Sequence, residues 1–578
     1  MYTTRFSRPL TFLALTAALV VASISLPGTD QESARASYVI QGSSLDEVRM
    51  LVEAEGGEIT HELGIINAVA ANLTSSEVAV LRHTDRIRRV YGNGEVQTAG
   101  KPTKGSGGGS SGNYTTINTH YAELVNADQL HSMGITGSGV GIAVLDTGLW
   151  KHNGIKYDKS GNVRLDALFD AISNTQATSP LSGDDAAGHG SHVASIAVSS
   201  LMTADGRYNG IAPGARLISV RAFDDQGQGT YADVIRAIDW VVQNKAKYKI
   251  KVLNLSFSAE PLSHYWDDPI NQAVMIAWQH EIFVVAAAGN RGPDPMTIGV
   301  PGNVPYIMTV GAMSDNYTPA DGSDDVLASF SSVGPTIEGF VKPEVVAPGG
   351  HMLGLVQASS TLANAYPEYY ASDMYFEMSG TSQATAVVSG IAALVLEAEP
   401  WRSVDELKCK IMSAARPAVS GKGKLSLAYS VFQQGAGMVD AYDAVMNQNV
   451  GCANNGLHVD NDIDGYAHFG GPANQQADGS YFLRGNLNSN ESGYTWTGGY
   501  LWTDGYMWTD GYMWTDGYLW TDAYLWTDGV GVNGYLWTDG YMWTDGYLWT
   551  DGYLWTDGYM WTDSLTEMTS MSNWVNQE

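Results

Sequence analysis

The chain has 578 residues, only two of them cysteines, so it is longer than one ordinary domain and is not a small disulfide scaffold. Its 61 acidic and 31 basic residues give a net charge of −30, which opposes binding to nucleic-acid phosphates or anionic lipid, so no nucleic-acid partner is expected. Because 44% of the residues are hydrophobic and 16% are charged, we expect a packed globular core.

Residues 1–36 have the layout of a secretory signal peptide. Two arginines precede an apolar run from about Leu10 to Leu26, and small residues follow. Cleavage after Ser25 and cleavage after Ala36 both fit this pattern. The alternative is a transmembrane anchor, for which the run is short, since a bilayer span needs about 20 apolar residues. The sequence therefore predicts a secreted protein.

A small α/β unit is predicted for residues 37–98, because strand and helix patterns alternate over this short stretch. The expected elements are strands at Tyr38–Ile40 and near Ile66–Leu73, and helices around Leu45–Glu55 and Ser76–His83. Residues 99–113 are rich in glycine and serine and are predicted to form a flexible linker that is easily cut.

Apolar runs alternate with helical patterns over residues 114–451. Four runs are typical of strands buried on both faces: Gly141–Leu145, Leu217–Val220, Val252–Leu255 and Ile282–Ala286. Such runs indicate the α/β class, with a parallel sheet covered by helices on both faces. Active sites of such sheets lie at the carboxyl ends of the strands, so polar residues directly after the runs are candidates.

Three motifs in this region supply a carboxylate, a base and a nucleophile. Asp146 ends the first run in Asp-Thr-Gly, His189 lies in Gly-His-Gly-Ser-His, and Ser382 follows Gly-Thr at the start of a helical stretch. A serine hydroxyl needs an imidazole to take its proton and a carboxylate to hold that imidazole. Asp-Thr-Gly also occurs in aspartic proteases, but the sequence has no second copy. Asn290, after the fourth run, could aim its amide at an oxyanion.

As a set, these segments resemble the subtilisin-like serine proteases, the subtilases. The matching pieces are Val144–Gly148, His189–Ala194, Ala286–Asn290 and Gly380–Ser382. The resemblance implies that Asp146 orients His189, which acts as general base and acid. It also implies that Ser382 attacks the peptide carbonyl and that Asn290 stabilises the oxyanion. We therefore expect a serine endopeptidase for protein and peptide substrates, with no cofactor required for the chemistry.

The resemblance further implies where an extended peptide would bind. Its backbone would pair with two segments, Gly227, Gln228 and Gly229 and then Ser256, Phe257 and Ser258. The pocket for the side chain before the scissile bond would have walls from Ala287, Ala288 and Gly289, with Gly299 near its floor. Small walls favour a large apolar side chain, although Ser258 stands where the family usually has glycine.

Residues 37–98 resemble the subtilase propeptide, notably over Gly56–Glu58 and Ile66–Ala71. In that family the propeptide assists folding, inhibits the active site and is removed by the enzyme itself. The resemblance implies an intramolecular inhibitor and a cut between Val96 and Asn113. A permanent small domain is the alternative.

Residues 452–492 are predicted to be an acidic linker. Asp460, Asp462 and Asp464 alternate as at the start of an EF-hand loop, but Gly471 replaces the expected glutamate. These three carboxylates are candidate ligands for a structural calcium ion. The alternative is an ordinary acidic linker that binds no metal.

The two cysteines are Cys409 and Cys452. Export from the cell would allow a disulfide between them. Their spacing does not establish that they are close, so a disulfide and two buried thiols both stay open.

Residues 493–563 repeat Gly-Tyr-Leu/Met-Trp-Thr-Asp with a period of six, and residues 564–578 follow as a C-terminal tail. The even period favours β structure that stacks on itself. Its aromatic ladder could bind a polysaccharide or a cell-envelope polymer and hold the protein at the cell surface. A self-packed stack and self-association are the alternatives. The competing hypothesis is a surface-binding protein whose protease activity serves mainly self-processing.

Overall fold

The computed structural model describes residues 34–97, 118–179, 183–319, 322–371, 374–420, 426–448, 451, 453–475 and 480–483. The predictions for the signal peptide, the linker over 99–113, the repeats over 493–563 and the tail over 564–578 lie outside the described residues.

The first unit contains β1 (Ala36–Gly42), α1 (Leu45–Ala54), β2 (Glu58–Leu63), β3 (Ala68–Leu73), α2 (Ser75–Arg82), β4 (Ile87–Gly92) and β5 (Glu95–Gln97). Its first four strands form an antiparallel sheet in the order β2-β3-β1-β4. Ser44 caps α1, and Thr74 and Glu77 form a capping box on α2, which fixes where each helix begins. The apolar sides of both helices pack on this sheet in a core of their own. β5 leaves the sheet and pairs elsewhere.

The elements of the second unit up to the end of the main sheet are α3 (Tyr121–Leu124), α4 (Ala127–Ser132), β6 (Gly141–Asp146), α5 (Asn153–Lys156), β7 (Leu165–Asp170), β8 (Thr175–Gln176), α6 (His189–Val198), β9 (Arg216–Arg221), β10 (Gln228–Thr230), α7 (Tyr231–Tyr248), β11 (Ile250–Leu255), α8 (Pro269–Gln279), β12 (Phe283–Ala287), β13 (Met308–Ser314), β14 (Val326–Leu327) and β15 (Val345–Pro348). The remaining elements are β16 (Met352–Leu355), α9 (Thr361–Ala365), β17 (Tyr370–Ala371), β18 (Tyr375–Met378), α10 (Thr381–Ala398), α11 (Val404–Ala414), β19 (Val419–Ser420), β20 (Ser426–Leu427), α12 (Val431–Gln434), α13 (Ala441–Met446), α14 (Val459–Ile463), β21 (Ala473–Gln475) and β22 (Tyr481–Leu483).

A nine-stranded sheet forms the centre of this unit. Its order is β14-β13-β12-β11-β6-β9-β7-β8, with β15 paired to β13, and all its pairs are parallel except those of β8 and β14. The four predicted strands correspond to β6, β9, β11 and β12, which lie next to one another in the middle of the sheet. Helices α7 and α8 pack together and on the sheet, and so do α6 and α10. The predicted α/β class and its mostly parallel sheet are confirmed.

Helix α10 runs through the core of this unit. It is long and apolar enough to cross a membrane, but 89% of it is buried within the protein. It is the one described helix that meets this test, and its burial marks it as a core helix.

The region predicted to be an acidic linker packs on the second unit over its described parts, residues 453–475 and 480–483. Asp462 is buried, and Phe469 and Ala473 belong to the main apolar core. The linker prediction is therefore corrected for these residues. The sequence shows that the stretch is acidic, but it does not show that Tyr265 and Tyr306 donate hydrogen bonds to Asp462. Cys409 is buried on α11. Cys452 lies outside the described residues, and so does the question of a disulfide between them.

Candidate active site

The carboxylate of Asp146 and the imidazole of His189 form a buried pair at the carboxyl end of β6. Asp146 Oδ1 lies 2.6 Å from His189 Nδ1, and both residues are 1% exposed. Because an ionised carboxylate only accepts hydrogen bonds, Nδ1 carries the proton and Nε2 is the basic nitrogen. Thr147 N–H donates to the same Asp146 oxygen at 2.8 Å and fixes the carboxylate.

Helix α6 begins at His189 and lies very close to the loop that follows β6. A Cβ atom on Gly190 would lie 2.4 Å from the carbonyl oxygen of Gly148, so only glycine allows this approach. Gly190 N–H also donates to Thr147 Oγ1 at 2.9 Å. The glycine after the histidine therefore brings the helix start to the carboxylate.

Asp185 is a site residue that the sequence analysis missed. Its carboxylate accepts hydrogen bonds from Thr147 Oγ1, from the backbone N–H groups of Gly188 and Ser191, and from Ser191 Oγ, at 2.6 to 2.9 Å. Burial raises the pKa of this carboxyl group, although all four donors favour its charged form. The carboxylate thus joins the loop after Asp146 to the first turn of α6. Its one sequence signal is its position four residues before His189.

Ser382 is the second residue of α10 and is buried. Its hydroxyl donates to the backbone carbonyl of Ser256 at 3.3 Å, and Ser256 Oγ donates to the Ser382 carbonyl at 3.1 Å. Because α10 packs against α6, the helix starts that carry Ser382 and His189 belong to neighbouring helices. The backbone N–H of Ser382 belongs to the first helical turn, whose N–H groups have no acceptor within the helix.

Asn290 follows β12 and faces the start of α10. Its side-chain oxygen accepts hydrogen bonds from the backbone N–H of Thr381 at 3.0 Å and from Thr381 Oγ1 at 2.9 Å. These two bonds fix the orientation of the amide, with its oxygen turned toward the start of the helix. Thr381 is a second residue that sequence reasoning missed, since a threonine beside a nucleophile has no distinctive signal.

The predicted peptide-binding edge is already paired within this chain. β10, which contains Gln228 and Gly229, pairs antiparallel with β5, so that Gly229 lies opposite Val96. Gly227, just before β10, has φ of +75° and forms the turn into the strand. The segment from Ser256 to Phe257 is buried after β11.

The residues predicted to line the side-chain pocket come together. Gly299 N–H donates to the Ala288 carbonyl at 3.0 Å, and the neighbouring residues Ala259 and Val300 exchange two backbone hydrogen bonds. Ser258 lies against Gly289 and Gly299. Ala287 is the last residue of β12 and is buried.

The three metal candidates do not converge. Asp460 and Asp464 are exposed, whereas Asp462 is buried and accepts hydrogen bonds from the hydroxyls of Tyr265 and Tyr306. The EF-hand expectation fails here because this stretch forms the short helix α14 rather than a loop. Among the described residues, no group of three or more His, Cys, Asp or Glu side chains could hold a metal ion.

Comparison with known proteins identifies a family and several relatives. Residues 137–440 match the subtilase family. Serine protease AprX of Bacillus subtilis is 37% identical over 349 residues, which cover 59% of this chain and 73% of that protein. Subtilisin NAT of Bacillus subtilis subsp. natto is 28% identical over 414 residues, which cover 70% of this chain and 91% of that protein.

A solved structure shares the fold. It is that of fervidolysin from Fervidobacterium pennivorans, described as a keratinolytic enzyme related to subtilisin, with a TM-score of 0.54 and 21% identity. The match covers 72% of this chain and 62% of the other, so this chain spans less than two thirds of that protein.

Proposed function

This chain belongs to the subtilase family and is a subtilisin-like serine endopeptidase, and from that premise we propose that it is a secreted enzyme made as a self-processing zymogen. Its substrates are proteins and peptides. In this proposal residues 1–36 direct export, residues 37–98 are the propeptide, and the catalytic domain follows. The layout of the first 36 residues supports export.

The pair of Asp146 and His189 carries the assignment of the catalytic base. With Nδ1 holding its proton toward the carboxylate, Nε2 of His189 is the nitrogen that takes the proton of Ser382 as its oxygen attacks the peptide carbonyl. The imidazolium that forms is stabilised by the buried carboxylate. The same proton then passes to the leaving amine, and water completes hydrolysis of the acyl enzyme.

Asn290 is assigned to the oxyanion that this attack creates. The amide NH₂ group and the backbone N–H of Ser382 supply two donors, and the two hydrogen bonds from Thr381 hold the amide before substrate arrives. A donor that is already oriented costs no reorganisation in the transition state.

The pairing of β5 with β10 is the single observation that carries the zymogen proposal. An extended substrate would use the same edge of Gln228 and Gly229, which Glu95–Gln97 fill as an antiparallel strand. A peptide and the propeptide therefore compete for one set of backbone hydrogen bonds.

The rest of residues 36–97 is seated beside this edge on α7 and α8. His61 Nε2 lies 3.0 Å from Asp233 Oδ1, and Arg236 donates to the Thr60 carbonyl at 2.7 Å. Gln41 donates to Gln272 at 2.6 Å. Beside these polar contacts, apolar residues of the same unit, among them Leu63, Ile66 and Tyr91, join the main apolar core.

The test compares secreted wild type with Ser382→Ala by intact mass, N-terminal sequencing and hydrolysis of a generic peptide. We expect wild type to lose the region before a cut between Val96 and Asn113 and to cleave the peptide, whereas the variant should do neither. Ser389→Ala removes a hydroxyl seven residues further along α10 and should mature normally. A Ser382→Ala protein that still matures alone would contradict self-processing.

The aromatic repeats over 493–563 are proposed, on their sequence alone, to retain the enzyme on a polysaccharide or another cell-envelope polymer. Deleting them should leave peptide cleavage unchanged and abolish retention on envelope material. Unchanged retention would remove this role.

A further inference from the structure

Ser258 lies where the pocket for the P1 side chain, the one before the scissile bond, is expected to end. Its hydroxyl stands between two glycines that come from different segments, Gly289 after β12 and Gly299 before Val300. A Cβ atom on Gly299 would lie 1.9 Å from Ser258 Oγ, and one on Gly289 would lie 2.8 Å from it. The space between the two glycines is therefore filled by a side chain of the protein itself.

The hydroxyl also has an unusual environment. Ser258 is 4% exposed, and its oxygen is inaccessible to water and has no hydrogen-bond partner among the described residues. A buried hydroxyl without a partner is destabilising, so stability does not explain its presence. Ser332 Oγ lies equally close to a Cβ on Gly289 but accepts a hydrogen bond from the backbone N–H of Arg291 at 3.1 Å.

We propose that the Ser258 hydroxyl closes the far end of the P1 pocket, so that the enzyme selects a short side chain such as alanine and rejects aromatic and long apolar ones. This inference rests on the proposed function, since it concerns the same active site. It replaces the expectation from the small walls of Ala287, Ala288 and Gly289, because the depth of a pocket depends on what stands at its end.

The geometry also defines the change that would open the pocket. Ser258 Cβ lies farther from the two glycines than its hydroxyl does, at 3.3 Å from a Cβ on Gly299 and 3.5 Å from one on Gly289. The first distance is tighter than an ordinary contact and the second is ordinary, so Ser258→Ala removes the closest atom and keeps the wall that Cβ provides. Ser332→Ala is the matched control, since it deletes a buried hydroxyl beside the same glycine.

The experiment measures kcat/KM of the secreted, mature enzyme for peptides that differ only at P1, which is alanine, leucine or phenylalanine. We expect wild type to prefer alanine to phenylalanine by at least about ten-fold, because one excess methylene in a closed pocket already costs roughly 10–200-fold. Ser258→Ala should shift the phenylalanine-to-alanine ratio by at least about ten-fold toward phenylalanine. Ser332→Ala should leave the ratio unchanged.

Labelling of Ser382 by a small organophosphate separates this inference from the function on which it rests. An enzyme that is labelled but prefers phenylalanine, or whose ratio is unchanged by Ser258→Ala, overturns the inference and leaves the protease intact. An enzyme that is not labelled overturns the proposed function and the inference together.

Discussion

Thr381 holds the Asn290 amide with two hydrogen bonds, one from its backbone N–H at 3.0 Å and one from its hydroxyl at 2.9 Å. The amide proposed as the oxyanion donor is thus fixed by the residue next to Ser382. Asn290→Leu should lower kcat by about 10²–10³-fold with little change in KM, because the donor acts only once charge develops. Thr381→Val keeps one of the two bonds and should have a smaller effect. Steady-state kinetics with active-site titration checks this order, and a change confined to KM would contradict it.

Asp185 accepts four hydrogen bonds that join the Asp146 loop to the start of α6. Asp185→Asn turns one acceptor into a donor that faces other donors, so we expect a loss of about 1–3 kcal/mol in the free energy of unfolding. It should also lower kcat, since His189 is no longer held against Asp146. Urea unfolding in the Ser382→Ala background and peptide kinetics measure the two effects. Ser191→Ala removes one hydroxyl donor to Asp185 and should cost less.

Gly229 lies in β10, opposite Val96. A Cβ atom there would lie 2.2 Å from the Ala222 carbonyl oxygen, so Gly229→Ala must shift this edge. We expect KM for peptides to rise about ten-fold with a smaller change in kcat, as expected when backbone pairing is lost from ground and transition state alike. Maturation should slow in parallel, because β5 uses the same edge. An unchanged KM would show that substrate does not bind along β10.

His192 should make the enzyme sensitive to acid. Burial lowers the pKa of this imidazole from 6.5 to about 3, and its Nε2–H donates to the carbonyls of Phe376 and Met352 at 2.9 and 3.1 Å. The folded state keeps His192 neutral while the unfolded state binds a proton below about pH 6.5. Its contribution to stability is therefore complete above pH 6.5 and is lost as pH falls toward 3, at about 1.4 kcal/mol per pH unit.

Urea unfolding of the Ser382→Ala protein at pH 7.5 and pH 5 tests this, with Ser382→Ala/His192→Gln as the comparison. The glutamine variant should be less stable at pH 7.5 but should lose less stability on acidification. Equal losses in both proteins would mean that His192 does not titrate on unfolding.

Asp462 attaches residues 453–475 to the second unit. The hydroxyls of Tyr265 and Tyr306 donate to one of its oxygens at 2.5 and 2.7 Å, and His468 lies 2.7 Å from the other. Asp462→Ala leaves both buried hydroxyls without this acceptor and should lower the free energy of unfolding by roughly 2 kcal/mol or more. The exposed Asp464 is the control. Asp464→Asn should have the same melting temperature as wild type, with and without calcium. If calcium instead raises the melting temperature of wild type but not that of Asp464→Asn, the metal-site hypothesis would be supported.

The sequence was informative about residues at strand ends. Asp146 is the last residue of β6 and Asn290 comes three residues after β12. Because the carboxyl ends of parallel strands share one edge of the sheet, both residues could be assigned to that edge from the sequence. Gly190, beside His189, likewise marks a close approach of two backbone segments.

The contacts that sequence reasoning missed join residues far apart in the chain. Tyr265 and Asp462 are 197 positions apart, and no local pattern relates them. Ser258 Oγ lies against Gly289 and Gly299, which are distant in sequence. A glycine in the sequence indicates that space is needed beside it, but not which side chain fills that space. Asp185 was missed because a carboxylate that only receives loop donors resembles any acid in a loop.

If the chain is the zymogen proposed above, the pairing of β5 with β10 makes dilution a control on activity. Before cleavage, β5 would be tied to the catalytic domain, so its effective concentration at the edge would be on the order of millimolar, whatever the concentration of the protein. Cleavage between Val96 and Asn113 would replace that value with the bulk concentration of the released propeptide. An enzyme exported into a large volume would then become active by spreading out, whereas the same molecules crowded near their source would stay inhibited.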